Sequence, residues 1–585
     1  MAKIAVSLPR PLLWHLTLPT MPKNLFPVLL TLVLLGMVGA PLVVLAIASL
    51  RPPDALPFSD AGWTLANLRT VFLEADTYTL LQNTFLYAAG SLALALPLAF
   101  SLAWLVERTD LPGRHVLYTA MFVPMVIPPF AVAIGWIFLL NPNNGLLNNW
   151  IRDLLALGIS RGPFNIYSVW GMIFVTGLLS VPSMWLMFLP LFRNSDPRLE
   201  EAAATSGAGR LQTLLRVTVP LMAPGMLAVL VYFTVIYIEI FEIPLALGLT
   251  AQYPVLSTKI FLLVNAEEIG EVAYSIAAAF GMMFVLIGIV LMALYLFAVR
   301  LSAKFAVVTG KGYRPSLVKL GWWKYVTLGA IGTYFALAVL LPFLILLWTS
   351  LLPFYRAPSL RALDFLTLVN YTKIFQQREF LLALQNTIIV AAAAASVSML
   401  LASVISWFVV RRAGWLSRSL SVLSFTPLAI PAVVLALAIL LLYKGTPLQA
   451  TLYILILAFA TRYLAFTTRV MHAAQLQIEK SLEEAGLVAG AGPIITFATI
   501  NLRLLLPALV NGWVWVVAHA VRDFTIPLFM AFANTLMLAN LIFLYVGAGR
   551  QGMYTAYMVV LMVMVVVIAF VARLRSTPSW AVQGK

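Results

Sequence analysis

Five ionisable residues lie within long apolar stretches: Glu239 and Glu242 in IEIFEIP, Arg462, and Arg522 with Asp523 in VRDFTIP. Charge is costly inside a membrane, so such groups face a partner or a watered pathway. Carboxylates and guanidinium groups in these places can hold a gate shut as ion pairs or touch a passing ion. Phe241, Ile243 and Pro244 match Phe524, Ile526 and Pro527 at an offset of 283, which aligns Glu239 with Arg522. Counting about 18 residues at 1.5 Å each from the cytoplasmic start of their spans puts Glu239, Glu242, Arg522 and Asp523 in the outer half of the bilayer. Two roles fit them: lining a translocation pathway or gate, or forming a structural ion pair between two halves of the chain.

Other chemistry is poorly supported. There are no cysteines, which removes disulfides, thiolate metal sites and cysteine nucleophiles. His15, His115, His472 and His519 have no metal-ligand spacing, and the 21 methionines are scattered through apolar runs as packing residues. A chain that hydrolysed ATP would carry Gly-x4-Gly-Lys-Ser/Thr after a strand. Thr309-Gly310-Lys311-Gly312 lacks the leading glycine and the closing hydroxyl, and reads as a turn. No nucleophile, base and metal can be assembled into an enzyme site.

The elements that position the buried charges are membrane helices. With 62% hydrophobic and 10% charged residues over 585 positions, the polar surface cannot cover a soluble globule. Apolar runs of about 20 residues or more suit helices, not the short alternating strands of a barrel. Six runs fall near 26–50, 84–105, 116–140, 166–192, 221–247 and 272–299. Six more fall near 325–351, 387–410, 420–443, 448–470, 504–528 and 554–572. The first run lacks a small-residue cleavage site and reads as a retained span. The net charge of +16 would suit nucleic acid in a soluble protein. Alternating loops from a cytoplasmic N-terminus puts most Lys and Arg on the cytoplasmic side, so the excess is topological and its neighbours are lipid headgroups, with both termini inside.

The two sets of six are a duplication. Gln82-Asn83-Thr84 matches Gln385-Asn386-Thr387, Trp104 matches Trp407, Pro124 and Pro128 match Pro427 and Pro431, and Asn67 matches Asn370, all at an offset of 303. Downstream the offset becomes 283, because the external loop around 141–149 in the first half is about 20 residues longer. An even number of spans per half makes the repeat parallel, with a pathway expected between the halves.

Between the fourth and fifth spans of each half, on the expected cytoplasmic side, lies a matched segment. LEEAAATSGAGRLQTLLRVTVPLMAP over 199–224 returns as LEEAGLVAGAGPIITFATINLRLLLP over 482–507. Asp196 followed by Pro197 has the form of an N-cap, and Ser481 with Glu484 has the spacing of a capping box. Each opens a short helix kept slim by Ala202 and Ala203, or Ala485 and Gly486. Gly207 and Gly490 then permit a turn.

Glu201-Ala202-Ala203 with Gly207, repeated as Glu484-Ala485-Gly486 with Gly490, resembles the EAA signature of binding-protein-dependent ABC importer permeases. The likeness extends over nearly all of both halves. It implies the type I importer fold: all-α, two tandem six-helix transmembrane domains, 1–310 and 311–585. It further implies that the signature is a coupling helix seated in a groove of an ATP-hydrolysing subunit. Two such subunits would bind ATP and Mg, and an external binding protein would deliver solute across a bacterial inner membrane. The second half departs from the pattern at Gly486, where alanine is usual, and at Arg503, where the first half has Pro220.

Fused twelve-span chains with FEIP-like stretches most resemble ferric iron permeases, while similar permeases carry thiamine, polyamines or aminoethylphosphonate. A secondary transporter with parallel six-span halves is the alternative from another class, and the duplicated cytoplasmic signature speaks against it.

Overall fold

The computed structural model describes residues 25–52, 55–195, 197–265, 273–304 and 317–575. Asp196 and the expected domain boundary at 310/311 lie outside these residues. Among the described residues, ten helices are long and apolar enough to cross a membrane. In the first half they are Leu25–Ser49, Ala75–Arg108, Val169–Arg193, Leu214–Glu239 and Tyr274–Leu301. In the second they are Trp323–Ser350, Arg378–Arg411, Leu452–Gln475, Pro493–Arg522 and Gln551–Phe570.

The third span of each half is not one continuous helix. Arg114–Val126 and Pro129–Leu140 meet at 88°, and Trp415–Ala429 and Ala432–Tyr443 meet at 109°. The cause is in the matched prolines. A residue before proline is pushed out of the helical region, and Ile127 before Pro128 is extended at φ −70°, ψ 136°. Ile430 before Pro431 does the same at φ −102°, ψ 115°. Counting each bent pair as one span gives twelve, six per half.

Proline acts more gently elsewhere. The first span of each half widens into a π turn, Leu35–Gly39 or Ala336–Leu340, just before Pro41 or Pro342. The wider turn accommodates a residue that has no N–H and collides with the carbonyl four positions back. Leu214–Thr218 precedes Pro220 in the same way. Its counterpart Phe497–Asn501 keeps the π turn although Arg503 stands where the proline was, so the backbone of the repeat survives that substitution.

The duplicated landmarks do duplicated work. Asn67 Nδ2 donates to the carbonyls of Ser49 and Arg51, and Asn370 Nδ2 to those of Ser350 and Leu352, which ties off the end of each first span. Thr84 Oγ1 accepts from the Leu256 N–H at 2.9 Å, and Thr387 Oγ1 from the Leu538 N–H at 3.0 Å.

The first spans are exchanged between the halves. Leu25–Ser49 packs against its own sixth span and also along the broken third span of the second half, and Trp323–Ser350 mirrors it on Pro129–Leu140. Leu30 and Leu34 share a cluster with Leu420 and Leu464, and the Phe26 and Phe408 rings stack with centroids 5.4 Å apart. Gly135 is required at the mirrored crossing, since a Cβ there would lie 2.8 Å from Pro342 Cβ and 2.9 Å from its Cα. The long loop of the first half carries its own helix, Leu146–Leu154. It is pinned by Asn148, whose Nδ2 donates to the Leu140, Asn141 and Phe164 carbonyls and whose Oδ1 accepts from the Phe164 N–H.

Candidate functional site

The buried charges gather where the two halves meet. Span five ends at Glu239, and Ile240 turns extended at φ −56°, ψ 130° before a π turn over Pro244–Gly248. Span eleven ends at Arg522, Asp523 is extended at φ −73°, ψ 128°, and a short helix Thr525–Phe529 follows. Both breaks sit beside the proline breaks of the third spans, so four interrupted helices leave unpaired backbone groups in one layer.

Charged side chains satisfy those groups. Glu242 crosses between halves: its Oε2 accepts from the Phe130 N–H and its Oε1 from the Phe524 N–H, each at 3.2 Å. Arg522 Nη1 donates in the other direction, to the carbonyls of Met125 and Ile127 at the break in span three. Asp523 Oδ1 accepts from the Ile526 N–H at 3.1 Å and opens the short helix. The Phe130 and Phe524 rings stack over this layer at 4.7 Å.

Glu239 does not meet Arg522, its partner in the alignment. It binds Arg462 through two oxygens, Oε1 at 2.7 Å from Nη2 and Oε2 at 3.4 Å from Nη1. A second bond runs from Arg462 Nη1 to the Ile430 carbonyl at the break in span nine. Arg462 lies midway along Leu452–Gln475, while Glu239 is the last residue of Leu214–Glu239, so the pair joins the end of span five to the middle of span ten.

His519 stacks on Trp515 at 3.7 Å and its Nδ1–H is directed at the Trp515 carbonyl 2.9 Å away. Among the described residues, no three His, Cys, Asp or Glu side chains converge as metal ligands.

The second matched site is the pair of segments between spans four and five of each half. Pro197–Thr205 and Lys480–Val488 are the short helices expected there. Each ends at a glycine in the left-handed region, Gly207 at φ +86° and Gly490 at φ +88°. Beyond it the Ala208 N–H returns to the Ala203 carbonyl, and the Ala491 N–H to the Gly486 carbonyl, both at 3.0 Å. The capping box is corrected: the second helix begins before Ser481, which bonds Glu479 Oε2 instead, while Glu484 pairs with Lys480 one turn back at 3.1 Å. Gly486 has a local reason, since a Cβ there would press on Ile500 and Thr496 at 3.0 and 3.1 Å.

The exposed faces of these helices are partly apolar. Glu484 and Ala485 face outward with Leu482, Leu487 and the 90% exposed Val488. Ala202 is exposed, and Glu201 and Ala203 are half-buried, next to exposed Leu199.

Sequence reasoning passed over the preceding glutamates. Glu483 turns inward and accepts from Arg411 Nε at 2.7 Å, Asn501 Nδ2 at 2.6 Å, Gln475 Nε2 at 3.3 Å and Trp407 Nε1 at 3.2 Å. Burial opposes its charge, but the Asn501, Arg411 and Trp407 bonds outweigh that and hold its carboxyl below the usual carboxylate range. Glu200 occupies the same place in the first half, 3.4 Å from Arg108 Nε and accepting from Thr218 Oγ1 at 3.2 Å. The signal was available, because Arg108 and Arg411 are related by the offset of 303 that relates Trp104 to Trp407.

Two tandem six-span units with broken third spans and a matched helix-glycine turn between spans four and five define a fused, multi-pass permease of the ABC importer class. The chain belongs to the family of binding-protein-dependent transport system inner membrane components, whose model matches residues 95–303 and again 394–575. Among similar proteins is the putative ferric transport system permease protein FbpB 1 of Haemophilus influenzae. It is 25% identical over 500 residues, spanning 81% of this chain and 76% of that one. Another is the ferric transport system permease protein FbpB of Actinobacillus pleuropneumoniae, 25% identical over 486 residues, with 80% and 68% covered. A partial likeness, 31% over 145 residues, links 25% of this chain to 60% of the molybdenum transport system permease protein ModB of Haemophilus influenzae. Family membership replaces the secondary-transporter alternative.

Proposed function

We propose that this chain is the permease of an importer that takes up ferric iron delivered by an external binding protein, driven by two separate ATPase subunits. The observation that carries the solute is that two ferric transport permeases align along about four-fifths of the chain, through both halves. Iron would pass as substrate between the halves, and no resident metal site is required of this chain.

The two ATPase subunits, which would bind ATP and Mg, dock on Glu201, Ala202, Ala203 and Gly207 in one half and on Glu484, Ala485, Gly486 and Gly490 in the other. The exposed apolar residues beside these positions support that role, since apolar surface rimmed by polar groups suits a protein contact. The layer of Glu239, Glu242, Arg522 and Asp523 is the closed gate. Its cross-half bonds hold together backbone breaks that would otherwise be unsatisfied. Both termini lie in the cytoplasm, with the domains meeting at 310/311.

The test is reconstitution of the chain with its ATPase subunits in proteoliposomes, with metal analysis of the native binding protein. ATP-dependent uptake of radioactive ferric iron is the expected result. A binding protein carrying another solute, with no iron uptake, overturns the iron reading, and failure to recover ATPase subunits with the chain overturns the coupling assignment.

A further inference from the structure

We propose that Arg108 and Arg411 are the positioning residues through which the coupling helices move the membrane spans, each acting on the inward-facing glutamate of its helix, Glu200 or Glu483. The inference rests on the coupling role given to these helices above.

Each coupling helix is softly connected to the span that follows it. A left-handed glycine and a π turn lie between them, Gly207 and Leu214–Thr218 in one half, Gly490 and Phe497–Asn501 in the other. A push on the helix would be absorbed there unless a stiffer link exists. The inward glutamate supplies it. In the second half, Glu483 is joined to Arg411 and Trp407 at the end of span eight, to Gln475 at the end of span ten, and to Asn501 at the root of span eleven.

The arginine extends the link. Arg411 Nη2 donates to the Ile478 carbonyl at 2.7 Å, in the segment between span ten and the coupling helix. Arg108 Nη2 donates to the carbonyls of Phe192 and Ser195, at 3.0 and 3.3 Å, and to Ser195 Oγ at 2.6 Å, at the end of span four. A cation on the last carbonyls of one helix and an acid in the first turn of the next each complement the helix dipole. Thus one carboxylate ties three spans to one coupling helix, and a fork-shaped guanidinium is suited to bridging it to carbonyls in two directions. The construction occurs twice, at the offsets of the duplication, in segments that differ at Gly486 and Arg503, so the repeat is an internal replicate.

The copies differ in stiffness. Arg411 forms a hydrogen bond to its glutamate at 2.7 Å, one of four donors. Arg108 holds Glu200 at 3.4 Å with no hydrogen bond from Nε, and Thr218 replaces the amide of Asn501. The second half is therefore the tighter transmission.

The experiment uses the whole complex with its ATPase subunits in proteoliposomes, and the native binding protein purified with the cargo it carries. The readout is the stimulation of ATP hydrolysis by external binding protein, alongside recovery of ATPase subunits with the chain. Glu483→Gln is expected to assemble and keep its unstimulated hydrolysis while stimulation falls at least about fivefold, the lower end of ordinary coupling between sites. Glu200→Gln should show a smaller fall, and serves if the first variant does not assemble. Stimulation equal to wild type in an assembled Glu483→Gln complex overturns the inference and leaves the coupling assignment standing. Loss of assembly in both variants also overturns it, since the glutamates would then only hold the loop together. A wild-type complex that recovers no ATPase subunit overturns the coupling assignment itself, and the inference with it.

Discussion

Glu239 and Arg462 join the two halves of the chain through a two-oxygen ion pair, 2.7 Å at its shorter contact, with side chains only 15% and 21% exposed. Removing one partner of such a pair leaves a charge without compensation, while removing both with apolar groups of similar volume can restore stability. Glu239→Leu alone is expected to cost about 3 kcal/mol. The double change with Arg462→Met should recover most of that in thermal unfolding followed by tryptophan fluorescence. A double variant that loses as much as Glu239→Leu alone would show that the uncompensated Arg462 charge is not the source of the cost.

Glu242 holds two backbone N–H groups in opposite halves, those of Phe130 and Phe524. Glu242→Gln retains the shape but offers one carbonyl where there were two oxygens. Losing one hydrogen bond of about 0.5–1.5 kcal/mol in the proposed gate should raise ATP hydrolysis without binding protein by up to about tenfold. The assay is basal hydrolysis of the reconstituted complex, and an unchanged rate would remove Glu242 from the gate.

The two glycines of the second proposed coupling segment should respond unequally to alanine. At Gly490, φ +88° is disfavoured for any side chain, at a cost of about 1–2 kcal/mol. At Gly486 the new Cβ meets the ends of the Ile500 and Thr496 side chains, which can shift at smaller cost. Gly490→Ala is therefore expected to lower the melting temperature and the recovery of ATPase subunits more than Gly486→Ala.

Glu483 gives a pH signature. Its folded carboxyl titrates below the ordinary value of 4.5, so its stabilising contribution is complete above that pH and is lost as pH falls through the lower folded value. The stability gap between wild type and Glu483→Gln should stay constant from pH 7 down to about 4.5 and close below it. Parallel unfolding curves over that range are the check, and a gap that narrows already near neutrality would contradict the depressed carboxyl.

The duplication was legible because its landmarks have local jobs. Asn67 and Asn370 tie off helix ends, and Thr84 and Thr387 each take one backbone N–H, so their spacing is fixed by the fold. The left-handed turns were legible too, because few residues other than glycine serve there. The partners of the charges were not. Alignment sets Glu239 opposite Arg522, but alignment relates equivalent places in two halves and says nothing of what crosses between them. Arg462 lies on another span, and only packing brings it to Glu239. Arg108 and Arg411 were hidden differently: a basic residue at the inner end of an apolar run reads as an ordinary topological anchor. The bent third spans were half visible, in paired prolines that the hydropathy of the run concealed.

The exchange of first spans has a consequence for how the protein is made. Leu25–Ser49 is made well before one of its packing partners, the broken ninth span Trp415–Ala429 with Ala432–Tyr443, which follows nearly four hundred residues later. At synthesis rates of about 5–20 residues per second, that helix waits in the bilayer for tens of seconds with one flank facing lipid. Neither half can therefore mature by itself, and carrying both on one chain ensures that each nascent half meets its own counterpart.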